Sequence, residues 1–437
     1  MTIPRYLNYR ASGAEWLGEV PEHWEVQRIG YYFEERREKV SDKAFAALSV
    51  TKNGIVPQLD SAAKTDDGDN RKMVRRGDFV INSRSDRKGS AGVSEFDGSV
   101  SLICTVMRPL GRIYAPFVHH LLRCQRFQEE FYRNGKGIVA DLWSTGYSEM
   151  RNILVGMPPL PEQVQIAEYL SHQTSRIDEL VLEQRRLMVL LQEKRQALIS
   201  HAVTKGLNRG SPMKPSGIEW LGDVPKHWEV GRLKTFFQTS SGGTPDTAKQ
   251  DLYYATADEG IPWIRTTDLK NDVLRNAEVF ITEQALIDTA CKILPVGTVM
   301  VAMYGGEGTI GKNGLLAIPA AINQAVCGVL PSPTHCPEFV FRYMQFIRPY
   351  WMIGAESSRK DPNISQERVR NAPILRPPRE EQEAIARYLE ERVRSFDTLL
   401  AQAERVIELL LERRSALISS AVTGKIDLRG FNDREAA

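Results

Sequence analysis

One stretch of this chain has the residues and spacing of a phosphate cradle. Gly306-Glu307-Gly308-Thr309-Ile310-Gly311-Lys312 follows the pattern Gly-x-x-x-x-Gly-Lys, in which backbone amides wrap phosphate oxygens and the lysine reaches them. Two features oppose that chemistry. The next residue is Asn313, where a Ser or Thr would hold Mg²⁺. Asn313 to Pro319 also reads as a strand, whereas a cradle opens a helix whose N-terminus faces the anion. A glycine-rich hairpin or turn is the better reading. The five cysteines, Cys104, Cys124, Cys291, Cys327 and Cys336, are odd in number and show no Cys-x-x-Cys spacing. They read as reduced thiols of a cytoplasmic protein, not as a disulfide frame or zinc site. The seven histidines have no metal-ligand spacing. Met157-Pro158-Pro159-Leu160 and Arg376-Pro377-Pro378-Arg379 do not fit the Asn/Asp-Pro-Pro-aromatic signature of adenine methyltransferases. No Gly-x-Ser-x-Gly elbow, His-Glu-x-x-His pair or nuclease carboxylate cluster appears. The expectation is a non-catalytic chain that binds no metal and no cofactor of its own.

The elements around these residues are written twice. Gly13-Ala14-Glu15-Trp16-Leu17-Gly18-Glu19-Val20-Pro21-Glu22-His23-Trp24-Glu25-Val26 returns as Gly217-Ile218-Glu219-Trp220-Leu221-Gly222-Asp223-Val224-Pro225-Lys226-His227-Trp228-Glu229-Val230, an offset of 204 from Trp16 to Trp220. The Trp and His residues read as structural anchors. A helix starting at Pro158-Pro159-Leu160-Pro161-Glu162-Gln163 and running to about Lys205 returns from Pro377-Pro378-Arg379-Glu380-Glu381-Gln382 to about Thr423. Its offset is 219, from Ile166 to Ile385 and from Thr204 to Thr423. The second half therefore holds about 15 extra residues between its Trp motif and its helix. Prolines and acidic residues suit a first helical turn, and Gly206 and Gly424 suit the ends. Ile166, Leu170, Gln173, Ile177, Leu180, Gln184, Leu187, Leu191, Lys194 and Leu198 recur at steps of four and three, as do their counterparts from Ile385 to Leu417. A seam this narrow needs a partner helix.

Between motif and helix lie two segments that mix strands and helices. In residues 27–157 the strand-like runs are Ala46–Val50, Asp78–Ile81 and Val100–Val106, and Ala115–Tyr132 reads as a helix. Polar basic loops cover Arg71–Arg76 and Asn82–Ser90. In residues 231–376 the strand-like runs are Gly260–Arg265, Gly297–Met303 and Ala325–Leu330, with a helix over Glu338–Ile347. Polar residues cluster at Arg265–Asp268, Tyr304–Gly306 and Ser357–Lys360. Asn208–Ser216 reads as a hinge. These boundaries predict a first domain over 1–157, a first spacer helix over 158–207, a linker and second domain over 208–376, and a second spacer helix with tail over 377–437. At 437 residues, two or three domains are expected. The composition is 42% hydrophobic and 26% charged, enough for real cores. A net charge of +2 means that any basic face is local. No membrane span is expected, since the longest apolar stretch, Leu315–Leu330, is short and contains Asn323 and Gln324.

The Trp motif, the repeated helix and the divergent segments between them resemble the DNA specificity subunit of type I restriction–modification systems. The resemblance covers nearly the whole chain. Its most specific pieces are Glu-Trp-Leu-Gly-x-Val-Pro-x-His-Trp-Glu-Val and the Pro-Pro…Glu-Gln…Ile-Ala-x-Tyr-Leu helix start, each present twice. Ser241-Gly242-Gly243-Thr244-Pro245, Ile261-Pro262-Trp263, Gly306–Lys312 and Ala321-Ile322-Asn323-Gln324-Ala325 are similar to that family's target-recognition domains. The implied fold is mixed α and β: two globular α/β target-recognition domains separated by two long helices that pair as an antiparallel coiled coil, a pseudo-twofold tandem repeat. The resemblance implies that each domain reads one half of a split target in double-stranded DNA. It also implies that the helices set the gap and dock two methyltransferase subunits. S-adenosylmethionine, ATP and Mg belong to the methyltransferase and the restriction motor-nuclease subunits. Chain connectivity supports the antiparallel pairing independently, because the short linker after Lys205 brings the second helix back along the first. Half-site centres near one DNA turn apart, about 34–36 Å or somewhat more, then follow.

Arg or Lys can hold guanine and Asn or Gln adenine, while Ser, Thr and Tyr can serve phosphate. The candidate DNA contacts are Arg84, Arg87 and Lys88 in the first segment. In the second they are Arg265, Thr266, Thr267, Tyr304, Lys312, Arg359 and Lys360. The alternatives are a coiled-coil scaffold with no role on DNA and an ATP-binding enzyme built on Gly306–Lys312.

Overall fold

The computed structural model describes residues 4–59, 68–111, 113–138, 143–305, 308–352 and 363–430. The chain divides into two compact units, residues 1–185 with 404–437, and residues 186–403. Two long helices, Leu160–Lys205 and Arg379–Val422, each contribute to both units. Both stop at a glycine with positive φ, Gly206 at 76° and Gly424 at 71°.

The first unit is built on a four-stranded antiparallel sheet. Its strands are β1 (Phe33–Glu35), β3 (Phe79–Asn82), β4 (Ala91–Val93) and β6 (Cys104–Pro109), in the order β4-β3-β6-β1. Beside it β2 (Arg71–Val74) pairs with β5 (Gly98–Val100). Two helices follow, α1 (Ala115–Leu121) and α2 (Gln125–Arg133). Phe79, Ile81, Met107, Phe117, Val118 and Phe127 share one core with Trp16 and Trp24 of the first Trp motif. The same core holds Ile166 and Leu170 from the start of one long helix and Ala421 and Val422 from the end of the other. Asp178 pairs with Arg414 at 2.9 Å further along. Within this unit the two helix segments therefore run antiparallel.

The second unit repeats that plan. Its sheet holds β7 (Thr239–Ser241), β9 (Val299–Ala302), β10 (Asn313–Leu316) and β12 (Val326–Val329), in the order β7-β12-β9-β10, with Asp272–Leu274 added in parallel at the edge. Beside it β8 (Ile293–Leu294) pairs with β11 (Ala320–Ile322), and α3 (Pro337–Ile347) follows. The registers match residue for residue. Cys104 faces Asn82 and Val80 faces Gly92, as Val326 faces Ala302 and Met300 faces Gly314. Trp228, Phe339, Val340, Ile199, Ile385 and Leu389 share one core, and Arg195 pairs with Asp397 at 3.1 Å. The helix segments are again antiparallel within the unit.

The same latch starts each long helix. Gln163 accepts from the Tyr114 amide at 2.7 Å and donates to the Pro158 carbonyl at 2.9 Å. Gln382 accepts from the Cys336 amide at 2.8 Å and donates to the Pro377 carbonyl at 2.8 Å. One residue earlier a glutamate gathers the Trp motif. Glu162 accepts from the Trp24 indole at 2.9 Å and the Tyr6 hydroxyl at 2.6 Å, and meets His23 at 2.8 Å. Glu381 accepts from Trp228 at 3.0 Å and meets His227 at 2.8 Å. Trp24 and Trp228 are each 1% exposed; burying about 200 Å² of aromatic surface contributes on the order of 5 kcal/mol before entropy. The Trp and His residues of the motif are thus structural.

Five expectations need correction. Val100–Val106 is not one strand: it spans the end of β5, a break at Ser101–Ile103 and the start of β6. Ala115–Tyr132 is two helices, broken where the Arg123 and Cys124 amides donate to the His120 and Leu121 carbonyls, each at 3.4 Å. Asn208–Ser216 is not simply a hinge, because Met213–Pro215 pairs with Asp223–Pro225. Arg71–Val74 is a strand, and the buried Arg71 guanidinium bonds Ser99. The seam is offset from the heptad reading: Val181 is buried while Leu180 and Leu187 are 45% and 43% exposed. A straight helix turns every 3.6 residues, so a strict 3.5 count drifts off the buried face.

Candidate nucleic-acid interface

In the first unit the loop of residues 83–90 joins β3 to β4 and carries Arg84, Arg87 and Lys88, all exposed. The Arg84 amide donates to Asn82 Oδ1 at 3.1 Å. Arg87 is only 3.5 Å from Asp86, an exposed and weak pairing. The Lys88 ammonium lies over the Tyr132 ring, 5.4 Å from its centroid. A second loop returns to this one: Arg84 bridges Ser144, Lys136 bridges Ser144, and the Thr145 amide donates to the Ser83 carbonyl at 2.9 Å. Trp143 donates to the Tyr132 carbonyl at 2.9 Å, its ring tilted against Tyr132. Trp143 thereby joins the three predicted cations, whereas the Lys136 ammonium is already paired with Glu149 at 2.9 Å. Single-sequence reasoning had no periodic signal that ties residue 143 to residue 83.

The equivalent loop of the second unit, residues 303–312, joins β9 to β10 and begins and ends near Tyr304 and Lys312. Here too the return segment is pinned to the hairpin, because the Ile364 amide donates to the Met303 carbonyl at 2.9 Å. Gly306 and Glu307 lie outside the described residues, as do Arg359 and Lys360. Asn313 sits in strand β10, buried, with its Nδ2 on the Phe341 carbonyl at 3.3 Å. Among the described residues, the part of the glycine run from Gly308 to Lys312 therefore leads into a strand, and no helix starts at Asn313 to offer its N-terminus to a phosphate.

Arg265, Thr266 and Thr267 lie elsewhere in the second unit, after strand Ile261–Ile264. Arg265 sits against Asp268 at 3.4 Å and Glu278 at 3.1 Å, so two carboxylates already offset its charge. Thr267 is exposed and Thr266 half-buried. The strand leads to a second polar cluster, drawn from the Ser241–Pro245 and Ala321–Ala325 motifs, whose residues were not among the candidate contacts. Asn323 donates its amide to the Ile264 carbonyl at 3.0 Å, and the Thr244 hydroxyl meets the exposed Gln324 side chain. Gly242 explains why glycine precedes them: a Cβ there would lie 1.5 Å from the Ile322 carbonyl oxygen. Gln324 is an amide of the kind that holds adenine in a major groove.

All five cysteines are buried, and burial pushes the Cys104 and Cys327 thiols up to about 12, away from the thiolate form. Among the described residues no three His, Cys, Asp or Glu side chains gather in a way that could hold a metal ion. No described helix is long and apolar enough to cross a membrane.

Residues 225–409 match the family described as Type I restriction modification DNA specificity domain. The chain is 25% identical over 435 residues to the Type I restriction enzyme MjaVIII specificity subunit of Methanocaldococcus jannaschii, covering 94% of this chain and 95% of that one. A solved chain from work on complex assembly and conformational transition of the type I R-M system superposes with a TM-score of 0.70 at 18% identity, covering 93% of this chain and 99% of that chain. The HsdS subunit from Thermoanaerobacter tengcongensis superposes with a TM-score of 0.53 at 17% identity, covering 93% and 98%.

Proposed function

We propose that this chain, which belongs to the DNA specificity subunits of type I restriction–modification systems, reads two different DNA half-sites, one with each unit. The observation that carries this reading is one sheet built twice in the same register with unlike loops. Where β3 and β4 present Arg84, Arg87 and Lys88, β9 and β10 present Tyr304 and Lys312. A frame shared down to its cross-strand pairs, carrying different polar tips, suits two readers of different sequences. Each hairpin and its pinned return segment would supply phosphate contacts and base contacts together.

The long helices serve as an antiparallel coiled-coil spacer and dock two methyltransferase subunits. Their middle stretches support this. The first unit exposes Leu182, Leu409 and Leu411 on its helix segments, and the second exposes Leu187, Val189, Leu190 and Leu399. Leucines on a solvated helix face favour a partner that covers them. The chain itself supplies no catalysis. S-adenosylmethionine belongs to the docked methyltransferases, and ATP and Mg to restriction motor-nuclease subunits.

The test exchanges one reader. Replacing residues 27–157 with the corresponding segment of a relative should change one half of the methylated motif, read by methylome sequencing, and leave the other intact. A change in both halves, or in neither, would refute independent readers.

A further inference from the structure

Both hairpin loops end the same way. Each closes through a positive-φ glycine two residues before its second strand, Gly89 at 83° before Ala91 and Gly311 at 69° before Asn313. Each glycine rests on the helical segment that follows the sheet. A Cβ on Gly89 would come 2.9 Å from the Gln128 side chain, and one on Gly311 would come 2.4 Å from Trp351 and 2.9 Å from Arg348. The two loops differ in what fastens them. Gln128 turns its amide away to the Arg123 carbonyl at 2.6 Å. Arg348 instead reaches into its loop, donating from Nε to the Ile310 carbonyl at 3.2 Å and from Nη2 to the Gly308 carbonyl.

We infer that Arg348 is a positioning residue for recognition of the second half-site, acting as a planar fork that holds the Gly308–Lys312 loop in its reading conformation. The inference rests on the proposal that the second unit reads DNA. Three observations carry it. The fork spans two carbonyls two residues apart, which one rigid guanidinium can do and a flexible ammonium cannot. Both bonds go to neutral groups, and no carboxylate among the described residues pairs with Arg348. Among the described residues, then, no carboxylate offsets its charge beneath the loop that carries Thr309 and Lys312. Finally, the Trp351 ring blocks any side chain at Gly311, so the base of the loop is set by shape as its middle is set by the fork. Among the described residues no such fork holds the loop of the first reader, which makes Arg348 specific to one half of the target.

The experiment uses the full chain assembled with its methyltransferase partner. Arg348→Gln removes the charge and one donor, and Arg348→Lys keeps the charge but not the fork. Methylome sequencing should show the first half-site unchanged in both variants. At the second, discrimination should fall by about tenfold at one or more positions, the scale of one bidentate contact. A parental second half-site in either variant overturns the inference. The intact first half-site is the internal control for folding. Should a variant methylate nothing, hydrogen exchange on the purified full chain decides the matter. Amides from Gly308 to Lys312 exchanging faster, with β9 and β12 unchanged, supports the fork; unchanged loop exchange overturns it. Replacing residues 231–376 separates the two levels. If that exchange alters the second half-site while Arg348 variants do not, only the fork is wrong. If it alters nothing, the reading of the second unit itself fails.

Discussion

The two glutamates at the helix starts occupy equivalent places but hold unequal loads, and the difference can be measured. Glu162 serves two buried donors, the Tyr6 hydroxyl (4% exposed) and the Trp24 indole (1% exposed), besides the partly exposed His23. Burial first, and then the bond to Glu162, holds the Tyr6 hydroxyl far above its ordinary range, so it stays a donor. Glu381 serves only one buried donor, Trp228, because the His227 side chain is 45% exposed and can turn to water. A buried donor left without an acceptor costs about 1–3 kcal/mol. Glu162→Ala strands two of them, for a loss on the order of 4 kcal/mol in the first unit. Glu381→Ala strands one, for about 2 kcal/mol in the second. Both changes also remove a first-turn carboxylate, worth about 0.3–1 kcal/mol, which cancels in the comparison. Glutamine at either position keeps one acceptor and should cost less than alanine. The assay is hydrogen exchange on the purified chain, reading opening free energies from β3 and β6 for one unit and β9 and β12 for the other. Equal losses, or a larger loss for Glu381→Ala, would refute the reasoning.

Three further outcomes follow from the proposed function. Lys312→Ala should weaken DNA binding and lower its salt slope by about one unit, while ATP turnover per DNA-bound restriction complex stays at the parental level; loss of turnover with normal DNA binding would restore the nucleotide-loop reading. Mass measurement of the saturated complex should give two methyltransferases per chain, and a stable one-to-one complex would contradict two equivalent docking surfaces. A four-residue insertion after Gln192 adds about 6 Å of helix, so the methylated motif should keep both half-sites and widen its gap by one to two base pairs at about 3.4 Å each; an unchanged gap in an active variant would mean that the helices do not set the spacing.

The long helices were legible because a repeat with one constant offset is visible by eye and a seam of Ile and Leu names its own period. The exposed Leu180 and Leu187 were not, because a heptad count ignores the drift of a straight helix. The shared plan of the globular segments was hidden for a different reason. Its offset changes along the chain: 204 at Glu35 and Thr239, 220 at Met73 and Ile293, 222 at Cys104 and Val326, and 219 at Thr145 and Ile364. The surviving matches, such as Gly77 with Gly297, Pro109 with Pro331 and Phe117-Val118 with Phe339-Val340, are too sparse to align without the strand registers. Of the candidate residues, the cations in loop 83–90 and Tyr304 and Lys312 of loop 303–312 lie between paired strands, where glycine and charge already mark a turn in the sequence. The sequence did not place Trp143 beside loop 83–90 or Gln324 beside Ile264, because a long-range backbone bond makes the first juxtaposition and a parallel strand pair the second.

Those shifting offsets also say where such a chain can change. Between Met73 and Cys104 the offset moves by two, and the registers place that change wholly in the hairpin loop, residues 83–90 against 303–312. Lengthening a flexible loop from eight residues to ten costs only about 0.2 kcal/mol of closure entropy. Slipping a strand by one residue instead would turn every buried side chain of β9 or β12 toward the opposite face, and Val299, Met300, Val301, Ala302, Val326, Cys327 and Val329 are all buried. The asymmetry between those costs is enough to keep the strands in register while the tips diverge. It also predicts which grafts will work. A loop cut at Asn82 and Ala91, or at Ala302 and Asn313, leaves every cross-strand pair in place. Grafting another hairpin of eight to ten residues between either pair should yield a folded chain with one altered half-site. A graft cut one residue inside β3 or β9 should aggregate or lose protection in that unit alone, measured by hydrogen exchange beside the parent; a stable chain from the misregistered graft would show that the register does not constrain the reader.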